Sequence, residues 1–476
     1  MHASTSDSVE AADLEKSLWI NDVVDYFGAS AFKGDCLRLS VISLLNREIA
    51  RIDRLISIQL DAVLHHDQFQ ALESAWMGCQ YLLQQVAFTQ QVKIKLLDVT
   101  WVELERDITR AIEIDHSEIF HKVYSREFGM AGGEPFGVML CNYPISLSPK
   151  NSGVDDIRVL SGLSSVAAAS FAPFLFNADP SLLDLEDFSA MHSNLDLDRT
   201  YQQESFIKWK ALRQTEDARF IGLTLPYLFL RKPYRHDRFR HDGFIYRESI
   251  KARTDYLKVG AIFALGAVLA RCFSHTGWLA EITGKRYFGG GGVPGLSEHQ
   301  SDIDGQALVA AEVMIPDTLE RSLSDAGFIP VCYSVNTAKG MFYSASSIQS
   351  PLLYSTPQAQ INARYSAMLQ YVMCTSRFAH YMKVIVRDQV GAFTTTEECR
   401  SFLQSWILNY VMSTDEASDV LLSQYPLREA RVSVREKAGT SGSYTCVAHL
   451  KPHFQLESIE TSIQFSAEVV PNRITG

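Results

Sequence analysis

Residues Leu64–Gly78 read LHHDQFQALESAWMG, and their spacing sets the fold class of everything around them. His65, His66, Asp67 and Glu73 are all metal-ligand types. The apolar residues carry a different pattern: Phe69, Leu72, Trp76, Cys79, Leu83 and Val86 step by three and four, the stripe of an amphipathic helix that buries one face. Neighbouring histidines on a helix diverge by about 100°, whereas chelating pairs need i,i+4 spacing. The stretch therefore reads as a packing helix with a polar start, with a metal site as the weaker alternative.

Upstream, Ile49, Ile52, Ile56, Leu60 and Val63 predict a helix leading into this one. Residues 1–45 read as a polar arm with a short helix over Leu14–Phe27. Downstream, the alternation in Val92–Val99 predicts a strand and Trp101–Ile114 a helix. Val159–Phe171 reads as a buried helix in a loop-rich region, and Phe206–Arg219 as another helix. Further helices are expected at Ser376–Val390 and Glu397–Val411. After Pro426 the period becomes two, through Val432 and Val434, then Tyr444, Cys446, Ala448 and Leu450, then Ile463, Phe465, Ala467 and Val469. A turn at Gly439–Gly442 separates the first two runs. The fold class is α/β of the mixed α+β kind. It divides into the arm (1–45), a main region (46–361) of one or two subdomains, and a β-rich C-terminal domain (362–476).

The chain has 476 residues, of which 46% are hydrophobic and 21% charged, an ordinary globular profile. Its formal net charge of −11 argues against a general nucleic-acid binder, which needs excess Lys and Arg. The eight cysteines form no CxxC pair, so they read as small apolar residues in a reducing cytoplasm. No signal-peptide pattern opens the chain. The most apolar run, Val259–Ala270, spans ~18 Å as a helix, short of the ~30 Å membrane core. It reads as a buried helix.

Three segments invite chemistry. Gly289–Gly295 could cradle a phosphate, but lacks the following Lys-Ser/Thr and reads better as a close-packed backbone loop. His299, Asp302 and Asp304 could hold a cation. The basic run Arg231–His241 interleaves Tyr234 and Phe239, yet Asp237 and Asp242 interrupt it. A metal- or nucleotide-dependent enzyme built on 289–304 and a nucleic-acid scaffold built on 231–241 are thus the rival readings; no cofactor is expected. His380, Lys383 and Arg387 share one helix face, which reads as a cationic surface for an acidic neighbour, with Phe378, Tyr381, Met382 and Ile385 on the buried side.

Several blocks, in order, resemble the large subunit of the type VI secretion contractile sheath, the VipB/TssC family. They are QLDAVLHHDQFQALESAWMG (59–78), GGEPFGVMLCNY (132–143), VAAASFAPFLF (166–176), KWKALRQTEDARFIGLTLP (208–226), LSDAGFIPVCY (323–333), SRFAHYMKVIVRDQVGAF (376–393), YPLREARVSV (425–434) and LKPHFQLE (450–457). Departures fall at Leu257–Gly260, where family members often show Trp-Gly-Asn, at Gly295–His299, and in the arm. The resemblance implies a cytoplasmic bacterial, phage-tail-like sheath subunit with no enzymatic activity. Its implied partners are a small subunit of the VipA/TssB type, further copies of itself, an Hcp-type inner tube and a baseplate. The ClpV recycling ATPase would read Leu14, Leu18, Ile20, Val23 and Val24. Neither nucleic acid nor membrane insertion is implied. A phage-tail sheath is the nearest mechanical alternative.

Contraction demands that subunits repack without separating. Strand exchange through Val432, Val434, Tyr444, Cys446, Ala448, Ile463, Phe465, Ala467 and Val469 would hold them together. Such a chain is expected to misassemble alone. Charge complementarity would guide repacking, with Arg213, Glu216, Asp217 and Arg219 on one helix and His380, Lys383, Arg387 and Asp388 on another. Ion pairs inside one subunit are the competing use of the same residues.

Overall fold

The computed structural model describes residues 37–86, 91–130, 132–147, 149, 153–192, 195–235, 244–284, 291–295, 299–300, 307–308, 310–333, 340–388, 396–413, 419–436, 444–453 and 463–469. The chain divides into two compact units, Met1–Gln70 with Pro233–Tyr256, and Ala71–Lys232 with Leu257–Gly476.

In the first unit the dominant element is α1 (Leu37–Leu64). Tyr246 Oη and Ser249 N donate to Asp61 Oδ1 at 2.6 and 3.2 Å, tying the segment after residue 243 to it. No α1 residue with a described side chain is buried. The helix stops at Leu64, and α2 (Asp67–Val86) begins after the two histidines His65 and His66.

The second unit is built on a five-stranded sheet in the order β1 (Met139–Ile145), β2 (Phe174–Ala178), β3 (Ile221–Leu225), β4 (Phe328–Tyr333) and β5 (Gly340–Phe342). The first four strands run parallel and β5 is antiparallel. β2 and β3 are buried at every residue, as parallel strands covered on both faces require. The alternation is clean: Phe174 and Phe176 enter one apolar cluster and Leu175 the other.

One face is covered by α3 (Trp101–Arg110) and α4 (Asp156–Ser170). Thr100 and Glu103 close a capping box at the start of α3. α4 ends on Phe171, a left-handed residue with φ 54°, a conformation that costs a bulky side chain ~1–2 kcal/mol. The other face is covered by α5 (Ile262–Thr276), whose residues 262–270 are all buried. The run expected to be a buried helix rather than a membrane span is therefore that. No described helix is long and apolar enough to cross a membrane.

Two local expectations are corrected. Residues 91–100 form no strand: among the described residues no strand pairs with them, and the segment carries the Lys93–Glu134 and Lys95–Glu127 ion pairs instead. Phe206–Arg219 is not one helix but a short helix, Ile207–Arg213, followed by a 3₁₀ turn, Asp217–Phe220.

The C-terminal part carries α6 (Leu369–Asp388), α7 (Thr396–Leu408) and a three-stranded antiparallel meander of β6 (Leu427–Glu436), β7 (Tyr444–Pro452) and β8 (Ile463–Val469). The period-two reading of the sequence matches these strands. Their core holds Trp278, Phe378, Leu403, Ile407, Val432 and Ala448.

Candidate assembly interface

The two histidines of the opening stretch have separate roles. His66 Nδ1 accepts from Gln68 N at 3.3 Å at the head of α2, and His65 Nε2 lies 3.3 Å from Glu248 Oε1. The apolar stripe beside them is a correction. Leu72, Trp76 and Leu83 are 57%, 63% and 52% exposed, and Phe69 is exposed too. The face α2 buries consists of Gly78, Tyr81, Leu82 and Val86, of which Val86 alone belongs to the expected stripe. A Cβ on Gly78 would stand 2.3 Å from the Phe263 ring, so glycine is what lets α2 approach α5. Tyr81 Oη donates to Pro294 O at 2.6 Å.

The cationic face of α6 also points inward. His380 is 1% exposed, with Nε2 2.9 Å from Ser170 O and Nδ1 3.2 Å from an Arg377 nitrogen. Burial, with Arg377 adding to it, pushes its pKa down to about 3, so the ring is neutral at pH 7. Lys383 lies over the rings of Tyr124, Phe128 and Phe171 at 5.0, 4.9 and 4.6 Å. Burial lowers its pKa to about 8. Arg387 Nη1 donates to the carbonyls of Glu127, Met130 and Gly133 at 3.1, 3.0 and 3.3 Å, and its Nε to Asp388 Oδ1 at 2.9 Å. The opposite side of the helix is buried as expected at Phe378 and Met382, where Phe378 stacks on Trp278 at 4.1 Å. The helix is thus packed on both sides, and His380 cannot meet a neighbour.

Arg213 is likewise buried. Its Nε donates to Ile348 O at 3.0 Å and its guanidinium lies 5.4 Å over the Tyr201 ring. Arg219 Nε donates to Glu216 O at 2.9 Å, and Asp217 accepts from Ser165 Oγ at 2.8 Å. Of the charged interface residues expected, Arg213 and His380 are corrected to internal groups; the others also have bonds within the chain.

The meander aligns the expected exchange residues. Val432 faces Ala448, which faces Phe465; Val434 faces Cys446, which faces Ala467. Tyr444 pairs with Val469, and Leu450 with Ile463. The outer edge of β6 is capped along its first half. Gln404 of α7 donates to Ala430 O at 3.1 Å and accepts from Val432 N at 2.7 Å, while Leu427 bonds Tyr410 and Met412. Among the described residues, no strand pairs with the outer edge of β8.

The rival sites assemble poorly. In the glycine-rich loop, Gly291 N donates to Gly284 O and Val293 N to Gly340 O. A Cβ on Gly291 would lie 2.2 Å from Phe342 O, so the described end of the loop is a backbone packed against β5. His299 pairs through its backbone with Leu308, whereas Asp302 and Asp304 lie outside the described residues. Arg231 points inward, 2.8 Å from Glu73; 236–243 lie outside the described residues, as do Leu14, Leu18, Ile20, Val23 and Val24. The one metal-type cluster among the described residues, Glu113, Asp115 and His116, is fully surface-exposed.

The family model of the EvpB/VC_A0108 tail sheath N-terminal domain matches residues 46–349, and that of the EvpB/VC_A0108 tail sheath gpW/gp25-like domain matches residues 358–469. The chain belongs to the VipB sheath family. It is 33% identical over 429 residues to the type VI secretion system sheath protein TssC1 of Pseudomonas aeruginosa, with 88% of this chain and 85% of that protein covered. Two solved assemblies overlap with it. One is the anti-feeding prophage baseplate, with a TM-score of 0.38 at 8% identity over 78% of this chain and 82% of that one. The other is the contracted sheath of an extracellular contractile injection system, PVC, with a TM-score of 0.37 at 11% identity over 79% and 88%. The VipB sheath family is one of structural subunits, and the apolar surface left open on α1 and α2 suits such a role.

Proposed function

We propose that this chain is the large subunit of a contractile type VI secretion sheath in the bacterial cytoplasm, working by assembly and repacking rather than by turnover. In this reading it pairs with a small sheath subunit of the VipA/TssB type, and the pairs stack around an Hcp-type tube on a baseplate. Residues 46–361 form the main body, 362–476 the strand-sharing domain, and the arm before residue 46 recruits a ClpV-type ATPase for recycling. The observation that carries it is the pair of sheath models running in order from 46 to 469.

The meander suggests where the sharing occurs. Gln404 occupies the middle of the β6 edge, so an incoming strand would add along β8 and keep backbone hydrogen bonds through the movement. Glu216, Asp217, Arg219 and Asp388 remain charged groups that could form contacts between subunits. Each exposed pair is worth only ~0.2–1 kcal/mol, but a helical polymer repeats it.

High-speed centrifugation tests the pairing. Co-expressed with the small subunit, the chain is expected in the pellet in a fixed ratio with it. A chain that stays in the supernatant as a monomer beside the small subunit would overturn the reading.

A further inference from the structure

Helix α1 carries a second period that its exposure makes meaningful. Ile42, Ile49, Ile56 and Val63 recur every seven residues, and Leu45, Ile52 and Gln59 stand three residues after the first three of them. These are the a and d positions of three heptads, β-branched at every a, the pattern of a two-stranded coiled coil. Ile42, Ile49, Ile52, Ile56 and Val63 are all exposed. Among the described residues, the hydrogen bonds that reach α1 from 244–256 fall elsewhere: Asp61, which Tyr246 and Ser249 contact, stands at f, on the side opposite the seam.

The charges beside the seam say what fits it. The flanking e and g positions hold two charged residues, Glu48 at g and Asp53 at e, both acidic. Arg47 and Arg54 stand at f and Arg51 at c, away from the contact line. Arg51 Nε reaches Glu48 Oε2 at 2.6 Å, an exposed i,i+3 pair that a partner cation can replace. In an in-register parallel pair of α1 helices, g meets the e position five residues on, which would set Glu48 against Asp53 twice over. The seam is apolar enough to need a partner, and its flanks repel a parallel second copy.

We infer that α1 is a docking rail for one helix of a different polypeptide, with an apolar a/d stripe and Lys or Arg at its e and g positions. The inference deepens the sheath reading and rests on it for the existence of a partner. Gln59, the one polar residue at d, would fix the register of that helix.

The test uses two synthetic 28-residue helices with Ile at a and Leu at d, one with Lys and one with Glu at every e and g. Like charges on both flanks keep each peptide from pairing with itself. Each is titrated by fluorescence anisotropy against the full chain carried on a solubility fusion. The Lys-flanked helix should bind at least tenfold tighter than the Glu-flanked one. The double variant Glu48→Lys/Asp53→Lys should reverse that preference. Ile49→Asp/Ile52→Asp should weaken binding at least tenfold with an unchanged circular dichroism spectrum, since neither residue is buried. Equal binding of the two helices, or none, overturns the inference, as does a dimer of the chain that Ile49→Asp/Ile52→Asp separates. If the peptide titration fails while co-expressed protein still pellets with the small subunit, the sheath reading stands and the α1 assignment alone falls.

Discussion

Lys383 shows what a charged residue does when a helix is packed on both sides. Its ammonium lies over the faces of three rings, Tyr124, Phe128 and Phe171, offsetting part of the desolvation that lowers its pKa to about 8. The unfolded value is ~10.4, so the unfolded chain binds more protons between those two pH values and stability rises with pH across that window. Below pH 8 the penalty is fully present; above ~10.4 it is gone. Replacing it, Lys383→Met should raise stability at pH 7 by about 1–3 kcal/mol and flatten the rise between pH 8 and 10.4. Urea unfolding of both proteins across that range checks it, and an unchanged slope in the variant would exclude Lys383 as its source. The helical spacing of His380, Lys383 and Arg387 was legible in the sequence, but the direction of their face was not. Periodicity tells which residues share a side; only the aromatic residues at 124, 128 and 171, brought in from distant segments, make that side an interior.

At the scale of the element, α2 carries the same lesson in reverse. The step of three and four located the helix to within a few residues, because only an α-helix lines up such positions. It assigned the wrong stripe to the core, since two apolar strips lie side by side on this helix and a chain that assembles has reasons to keep one in water. Substitutions should separate the two. Trp76→Ser is expected to change unfolding stability by less than ~0.5 kcal/mol yet reduce pelleting with the small subunit. Leu82→Ala should cost ~2–5 kcal/mol. Denaturant unfolding beside the centrifugation assay reads both, and a destabilised Trp76→Ser would place that stripe back in the core. The segment 92–99 failed as a strand for a related reason: its alternation is real, but a strand is defined by a neighbour, and none pairs with it among the described residues.

Over the whole molecule, what could be read was what is local. The C-terminal strands announce themselves through period two, and the long apolar helix α5 through its composition; the turn expected at Gly439–Gly442 lies outside the described residues. The five-stranded sheet was hidden because β2 and β3 are short, buried on both faces and without polar–apolar alternation, and because the pairing of β3 with β4 joins segments about a hundred residues apart. The eight matching blocks supplied what periodicity could not, and the family models cover them from residue 46 to 469. Among the described residues, Gln404 occupies the middle of the β6 edge, no strand pairs with the outer edge of β8, and α1 exposes a row of isoleucines, features that suit a chain working with neighbours. Negative-stain electron microscopy of the chain co-expressed with its small subunit tests this most directly. Long hollow cylinders are the predicted result; dispersed single particles, with both proteins folded and present, would contradict it.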